Sequence, residues 1–269
     1  MTAPGAEPVL LEEDHGSVRF LRLNRPERKN ALSNELGWSI VEAFERAATD
    51  DAVRVVGLTG EGDAFCSGAD LAFDEPFSAL SPSDEALNDL GWVGRFPLAI
   101  RVACDKPVVA GLNGVAVGAG LALAMCADIR IASSAARFHP GYARAGTSPD
   151  GGLSWTLPQA IGHERAMRFL LEQEMVSATD GQVLGLVSEV VDAAEFDAQF
   201  RGYCERVAAV APIAARQTKR LVTRAALPRD LEAHLRDEIR YVARGLASED
   251  GREAVSAIME KRKPEFSGR

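Results

Sequence analysis

Residues 106–132 read KPVVAGLNGVAVGAGLALAMCADIRIA, and this stretch decides the fold class. It opens with the apolar run 108–113, continues through closely spaced glycines, and ends in a second apolar run that reaches Ala127. A short apolar run beside turn residues is typical of a buried strand, and a longer run after a glycine turn is typical of a buried helix. Residues 129–132 form one more apolar-rich run. The stretch therefore predicts a strand, a tight turn, a helix and a further strand.

A membrane span is the alternative interpretation of residues 108–127, because this run carries no charged side chain. Uncharged apolar runs of about 20 residues are the usual signature of a spanning helix. Here Pro107 precedes the run, Asn113 interrupts it and several glycines divide it. These features favour a buried strand, turn and helix over a membrane span.

Strands and helices alternate on both sides of this stretch. Residues 18–23 alternate apolar and polar side chains, as a half-buried strand does. Ser33 is a suitable N-cap for a helix that runs to about Thr49, and residues 53–59 form another buried strand. Residues 72–100 have an irregular pattern, which predicts a mobile loop followed by a helix. The alternation predicts an α/β layer structure.

The C-terminal part of the chain has a different pattern. Residues 212–262 show only helical periodicity, with breaks predicted near Pro228 and Gly245. We therefore divide the chain into an α/β core, residues 1–205, and a helical region, residues 206–269, that serves as an oligomerisation element.

Composition excludes several classes of protein. The 269 residues are 46% hydrophobic, which is enough for a sizeable core. A formal net charge of −9 argues against a nucleic-acid-binding or anionic-membrane surface. The cysteines form no CxxC pair, so we expect no metal site. The N-terminal segment lacks the basic and apolar regions of a signal peptide, so we expect a cytoplasmic protein.

Two segments offer the chemistry of a binding site. AFCSGADL, residues 64–71, follows a predicted strand, and NGVAVGAGL, residues 113–121, leads into a predicted helix. Small residues let a ligand approach the backbone, and free amides at a helix N-terminus favour a negatively charged oxygen. Two such amides pointing at one carbonyl oxygen would form an oxyanion hole. On spacing alone, two ordinary tight turns are an equally good interpretation.

Other common site motifs are missing from the sequence. Gly118 and Gly120 begin a GxGxxG pattern, but the third glycine is absent. The chain also has no GxxxxGK[ST] loop and no GxSxG nucleophile elbow. These absences give no support to a dinucleotide-binding protein, a P-loop NTPase or a serine α/β-hydrolase.

Several motifs, in order along the chain, resemble the crotonase (enoyl-CoA hydratase/isomerase) superfamily. They are RPERKNALS, AFCSGADL, the 106–132 stretch, TDGQVLGLVSEVVD and EAVSAIMEKRKPEF, and the likeness covers about residues 18–266. The resemblance implies a crotonase-type α/β spiral of ββα units with a C-terminal helical trimerisation region. It also implies an acyl-CoA thioester substrate, coenzyme A carried as part of that substrate rather than as a separate cofactor, and a homotrimer or dimer of trimers.

The resemblance also assigns roles to individual residues. It places the oxyanion-hole amides on Ser67 and Ala119. Lys261 falls where a neighbouring subunit's lysine reaches the phosphate of coenzyme A. The remaining coenzyme-A-binding positions are Lys29, Ala31, Ala64, Gly68, Ala69, Asp70 and Leu71.

The sequence departs from the hydratases of this superfamily at both of their catalytic glutamates. The first position holds Ala122, and the second falls near Gly141 or Tyr142. Addition of water needs one group to activate the water and another to deliver or hold a proton. Ordinary hydratase activity is therefore not expected.

Asp150 is a different acidic candidate, in the glycine-flanked segment SPDGG. From the residues alone, a helix N-cap is the simpler interpretation, because aspartate favours that position. The resemblance changes this balance, since Δ3,Δ2-enoyl-CoA isomerases and 1,2-epoxyphenylacetyl-CoA isomerase carry an acid here. One carboxylate with a raised pKa is sufficient to move a proton. The sequence thus favours an enoyl-CoA isomerase with catalytic Asp150.

Three alternatives stay open beside the isomerase. They are a hydratase-like activity, an acyl-CoA hydrolase and a non-catalytic acyl-CoA-binding protein that lacks the hydratase glutamates. A related dehalogenase uses an aspartate at this position together with a histidine before strand 108–113. Residues 85–106 contain no histidine, which counts against that chemistry.

Overall fold

The computed structural model describes residues 7–71, 90–225 and 231–265. The strands of these ranges are β1 Leu10–His15, β2 Val18–Leu23, β3 Val55–Gly60, β4 Ala64–Cys66, β5 Val108–Leu112, β6 Val115–Val117, β7 Ile129–Ser133, β8 Arg137–His139, β9 Val176–Ser177 and β10 Glu189–Val191. The helices are α1 Asn34–Thr49, α2 Gly91–Leu98, α3 Ala119–Cys126, α4 Leu153–Ile161, α5 His163–Glu172, α6 Ala178–Leu184, α7 Phe196–Ala208, α8 Pro212–Ala225, α9 Leu231–Ala247 and α10 Glu249–Met259. The prediction of a mobile loop falls largely on residues 72–89, which lie outside the described ranges.

The larger sheet forms the centre of the α/β core. Its strand order is β1-β2-β3-β5-β7-β10, and all pairs are parallel except β1 with β2. Strands β3 and β5 are buried along their whole length, as expected for a parallel sheet covered on both faces. Helix α1 starts where predicted, because the Ser33 hydroxyl accepts a hydrogen bond from the Leu36 amide. The predicted α/β fold class is confirmed.

A smaller sheet with the order β4-β6-β8-β9 was not predicted. Strands β4, β6 and β8 are three residues each and parallel, and β9 pairs antiparallel with β8. Segments this short give too little periodicity to distinguish a strand from a turn. Because the carboxyl ends of parallel strands meet at one edge of a sheet, the segments that follow β4, β6 and β8 are brought together.

The C-terminal helices are present and pack against the core. Leu235 of α9 is buried in a small cluster with Leu90 and Trp155, so Trp155 has a packing role. The break predicted near Gly245 is displaced, because Gly245 lies inside α9 and Ser248 caps α10 instead. The break near Pro228 lies outside the described ranges. The division at residue 205/206 and the oligomerisation role stay predictions.

The uncharged run 108–127 does not form a single long helix. Among the described residues, every helix is too short or too polar to traverse a bilayer. The uncharged run 108–127 instead contains β5, β6 and α3, all within the core.

Candidate active site

The edge of the smaller sheet brings two turns into contact. The turn after β4 contains Gly68, and the turn between β6 and α3 contains Gly118. Gly68 has φ +100°, and a Cβ there would stand 2.9 Å from the carbonyl oxygen of Val117 and 3.8 Å from the amide nitrogen of Ala119. Only a residue without a side chain fits this approach comfortably. The two glycine-containing segments singled out in the sequence are therefore neighbours in the fold.

Ala119 offers a free backbone donor at this edge. It is the first residue of α3, and the N-cap, Gly118, has no side chain to bond the helix amides. An amide in the first turn of a helix has no acceptor within that helix. Among the described residues, the Ala119 amide has no other acceptor either. Together with the helix dipole, this favours binding of a negatively charged oxygen.

Ser67 does not offer the second donor. Its amide donates to the carbonyl oxygen of Lys29 at 2.9 Å, so the N–H group is already used. The predicted oxyanion-hole role of Ser67 is corrected on this ground. The next candidate is Ala69, whose amide has no hydrogen-bond acceptor within the described part of the chain.

The turn at Lys29 and Asn30 fixes this arrangement. Both residues have left-handed backbones, with φ of 50° and 55°. The Asn30 side chain is fully buried, donates to the carbonyl oxygens of Glu61 and Ala64, and accepts from the Arg25 amide. These bonds satisfy the buried amide group and hold the uncommon backbone conformation. As a result, the Lys29 carbonyl lies where Ser67 can donate to it.

The residues predicted to bind coenzyme A form two adjacent segments. The Leu32 amide donates a hydrogen bond to the Gly68 carbonyl oxygen at 2.8 Å, and the Leu32 carbonyl oxygen accepts one from the Asp70 amide at 3.0 Å. These two bonds join the segment after Lys29 to the segment after β4. The Asp70 carboxylate accepts hydrogen bonds from the Arg25 and Arg28 guanidinium groups, each at 2.8 Å. The predicted positions in these segments are Lys29, Ala31, Ala64, Gly68, Ala69, Asp70 and Leu71. Lys261 lies apart, just after α10.

Asp150 is a buried carboxylic acid in the segment that leads into α4. It is 8% exposed, and the Tyr142 hydroxyl donates to its Oδ1 atom at 2.7 Å. Burial raises the pKa of Asp150 to about 7, against the opposing effect of the Tyr142 hydrogen bond. A carboxyl group with this pKa can accept and return a proton near neutral pH.

Tyr142, unlike Asp150, keeps its proton near neutral pH. Burial and the adjacent Asp150 carboxylate raise the pKa of its phenol well above the ordinary value. Tyr142 therefore stays protonated and acts as a hydrogen-bond donor. The segment after β8 that carries it reaches the smaller sheet's edge, where a Cβ on Gly141 would stand 3.2 Å from the Gly118 nitrogen.

Ala122 lies beside the Asp150 segment. Gly151 has φ +58°, and a Cβ there would stand 3.0 Å from the Ala122 Cβ and 2.7 Å from the tip of the Phe96 ring. The position where hydratases of the superfamily hold a glutamate is thus occupied here by a buried methyl group. Gly151, the residue that follows Asp150, is therefore packed against apolar side chains.

Two residues that bond the Asp150 segment, Tyr142 and Glu238, were not predicted from the sequence. Glu238 of α9 is 5% exposed, and its carboxylate accepts from the Gly152 amide at 2.8 Å and the Ser154 amide at 3.3 Å. No local signal predicts a contact between residues 86 positions apart. Tyr142 was noted only as a residue near a missing glutamate.

The histidines of the described side chains do not join this site. His163 is exposed. His139 is buried, and its Nε2 atom lies 2.9 Å from the carbonyl oxygen of Gln173. Burial lowers the pKa of His139. It is therefore a neutral, hydrogen-bonded group at the end of β8.

Comparison with known proteins identifies the family. The family model described as enoyl-CoA hydratase/isomerase matches residues 13–269. The chain belongs to the enoyl-CoA hydratase/isomerase family. It is therefore an acyl-CoA enzyme of the crotonase superfamily.

Relatives of this family member carry names of both reaction types. It is 36% identical to 1,2-epoxyphenylacetyl-CoA isomerase of Escherichia coli, over 97% of this chain and 98% of that protein. It is also 34% identical to (E)-benzylidenesuccinyl-CoA hydratase of Thauera aromatica, over 97% of this chain and 99% of that protein. The chain thus has similar relatives named for isomerisation and for hydration.

Solved structures support the same assignment. An enoyl-CoA hydratase/isomerase from Pseudoalteromonas atlantica superposes with a TM-score of 0.87 at 33% identity, covering 96% of this chain and all of that one. A monofunctional enoyl-CoA isomerase from M. smegmatis gives a TM-score of 0.70 at 30% identity, covering 85% of this chain and 99% of that one. The crotonase fold predicted from the sequence is confirmed.

Proposed function

We propose that this family member is an enoyl-CoA isomerase that moves a double bond from carbon 3 to carbon 2 of an acyl thioester. The observation that supports this choice is the buried carboxyl of Asp150, whose neighbour Gly151 lies against the methyl group of Ala122. Isomerisation needs one group that removes a proton and returns it elsewhere. Asp150 has the burial, the hydrogen-bond partner and the pKa for that task.

The thioester oxygen is proposed to bind between the amides of Ala69 and Ala119. Both N–H groups lack acceptors among the described residues, and both lie where the turns after β4 and β6 meet. Removal of a proton next to the thioester carbonyl places negative charge on its oxygen. Fixed amide donors stabilise that charge in a site shielded from water.

The proton transfer balances with Asp150 as the only acid–base group. The Asp150 carboxylate takes a proton from carbon 2, and the electron pair spreads over a dienolate that ends on the thioester oxygen. The Asp150 carboxylic acid then returns the proton to carbon 4, and the double bond is left between carbons 2 and 3. No water enters the equation, and Asp150 ends in its starting state.

Hydration is the less suitable reaction for this site. It needs a second group to hold or activate water. Glu238, the other carboxylate that acts on Asp150 within the described residues, already accepts hydrogen bonds from the Gly152 and Ser154 amides. Ala122 has no ionisable group, and Tyr142 has a raised pKa that keeps its proton on the phenol. Phe96 and Ala122 also make the surroundings of Gly151, the residue next to Asp150, apolar.

Coenzyme A is proposed to bind along the two segments that join at Leu32 and Gly68. Exposed Lys29 at the start of one segment supplies a cation for a phosphate group, although its amine is paired with Asp63 in this structure. Lys261 is proposed to act on a neighbouring subunit's coenzyme A in a homotrimer or dimer of trimers. Both proposals follow the family resemblance.

The product formed from two substrates tests the proposed reaction. With a 3-enoyl-CoA, we expect conversion to the 2-enoyl-CoA without change of mass, because the proton is only moved. With a 2-enoyl-CoA, we expect no more than a trace of the product that is 18 mass units heavier, which results from addition of water. Hydration needs two acid–base groups, and the proposed site supplies one. Mass spectrometry with chromatographic separation of the isomers measures both. Hydration as the main reaction, or no turnover of either compound, would reject the isomerase.

The rate should depend on pH through Asp150. Proton removal needs the carboxylate form, and burial has raised the pKa of this group to about 7. We therefore expect kcat/KM to be constant at alkaline pH and to fall about tenfold per unit once the pH drops below about 7. Steady-state rates between pH 5 and 9 check this, with substrate and enzyme stability controlled at each pH. A profile that rises as the pH falls would contradict the base role.

A further inference from the structure

Helix α4 begins without a cap of its own. Its N-cap is Gly152, with φ +77° and no side chain to bond the first amides. The carboxylate of Glu238, from α9, fills this role through the amides of Gly152 and Ser154, and the Ser154 hydroxyl donates to it as well. A buried carboxylate is stable at a helix N-terminus because the free amides and the helix dipole compensate its charge. The N-terminus of the helix that follows Asp150 is thus capped by a residue from the C-terminal region.

This cap is directly connected to Asp150. The Leu153 amide donates to the Asp150 carbonyl at 3.0 Å, so Asp150 belongs to the turn that Glu238 holds. Gly151 and Gly152 lie between the two groups, and both have positive φ. A glycine pair has little conformational preference, so bonds from outside the turn must define its shape. Tyr142 holds the Asp150 carboxyl on one side, and Glu238 holds the turn on the other.

We propose that Glu238 is a positioning residue for Asp150: it fixes the 150–152 turn and keeps a second negative charge close to the reacting carboxyl. The proposal rests on the proposed function of Asp150. It assigns the C-terminal region a part in the chemistry, because α9 supplies this carboxylate to a site otherwise built from the α/β core.

The charge of Glu238 acts on Asp150 in a definite direction. Of the titratable groups in the described ranges that act on Asp150, Tyr142 faces it from the segment after β8 and Glu238 faces it from α9. Burial is the largest cause of the raised pKa, the Tyr142 bond lowers it, and the negative charge of Glu238 raises it. Removing that charge should therefore lower the pKa of Asp150.

The first test replaces Glu238 with glutamine, which keeps the size and removes the charge. Glu232→Gln is the matched control, because Glu232 lies exposed on the same helix and pairs with Arg236. Carboxyl ¹³C chemical shifts, with Asp150 assigned by its loss in Asp150→Asn, report its titration directly. We expect the titration of Asp150 to move to lower pH in Glu238→Gln and to stay in place in Glu232→Gln. An unchanged midpoint in Glu238→Gln would overturn the proposal.

Kinetics of the same variant separate positioning from binding. A turn that is less well fixed misplaces the carboxyl relative to carbon 2, so we expect kcat to fall on the order of tenfold. KM should change little, because the residues that Glu238 bonds, Gly152 and Ser154, lie outside the proposed coenzyme A segments. A change in KM alone would contradict the positioning role. The titration needs no turnover, so a failed isomerase assignment and a failed Glu238 assignment give different results.

Glu238→Asp keeps the test valid if the glutamine variant does not fold. The shorter side chain retains the charge but cannot bond both amides with the same geometry. We expect kcat to fall while the Asp150 midpoint stays nearer to that of the parent protein than to that of the glutamine variant. Thermal unfolding of all variants shows which of them are folded. An aspartate variant with the parent kcat would overturn the positioning role.

Discussion

Asp150→Asn is expected to lower kcat for double-bond migration by roughly 10²–10⁴-fold, the usual contribution of a positioned acid–base group. Asparagine has nearly the same shape as aspartate, but its amide cannot take up the proton from carbon 2. The Tyr142 hydroxyl can still donate to the amide oxygen as it donates to Oδ1 at 2.7 Å. The turn should therefore stay in place, and the loss reports the missing base. Turnover of a 3-enoyl-CoA, followed by product chromatography, measures the effect.

Binding of coenzyme A should survive the same substitution. Asp150 lies at the entry to α4, whereas the proposed coenzyme A segments lie around Lys29 and after β4. We expect the Kd of a non-reacting acyl-CoA, measured by calorimetry, to change by less than about threefold. Asp192→Asn is the matched control, because Asp192 is an exposed aspartate whose carboxylate accepts a hydrogen bond from the nearby Ala194 amide. Unchanged turnover in Asp150→Asn would show that another group is the base.

Much of the architecture was predictable because its signals are local. The apolar-rich residues 18–23, the Ser33 cap and the 106–132 stretch each predict local elements, and the structure contains those elements. The choice of Asp150 also came from a local signal, an acid between a proline and two glycines, once the family resemblance was added. Each of these inferences needs only a few consecutive residues and a known preference.

The rest depends on contacts that a local pattern does not contain. Strands β4, β6 and β8 are three residues long, and only their pairing with each other makes them a sheet. The choice between Ser67 and Ala69 is decided by the Lys29 carbonyl, which occupies the Ser67 amide. That carbonyl is placed by the Asn30 side chain, whose bonds to the Glu61 and Ala64 carbonyl oxygens span 31 and 34 residues of sequence. Glu238 is a more distant example, since its partner amides belong to another helix.

Gly68→Ala is the second substitution with a large expected effect. A Cβ at this position would stand 2.9 Å from the Val117 carbonyl oxygen, and the backbone φ of +100° is unfavourable for any residue with a side chain. The contact is with backbone, so the turn after β4 must move away from the turn before α3. That movement separates the amides of Ala69 and Ala119. Loss of one oxyanion donor typically costs roughly 10²–10³-fold in kcat, and we expect a loss of this size.

Gly16→Ala distinguishes this effect from backbone strain in general. Gly16 also has a positive φ, +59°, but a Cβ there would meet no atom within 4 Å. Both substitutions should therefore destabilise the fold by about 1–3 kcal/mol, measured by chemical denaturation. Only Gly68→Ala should also reduce the kcat of the folded enzyme. Gly68 lies where the two turns that carry Ala69 and Ala119 meet, and these turns can approach only because Gly68 has no side chain. Equal kcat values for the two variants would mean that the Ala69 and Ala119 amides do not act together on the thioester oxygen.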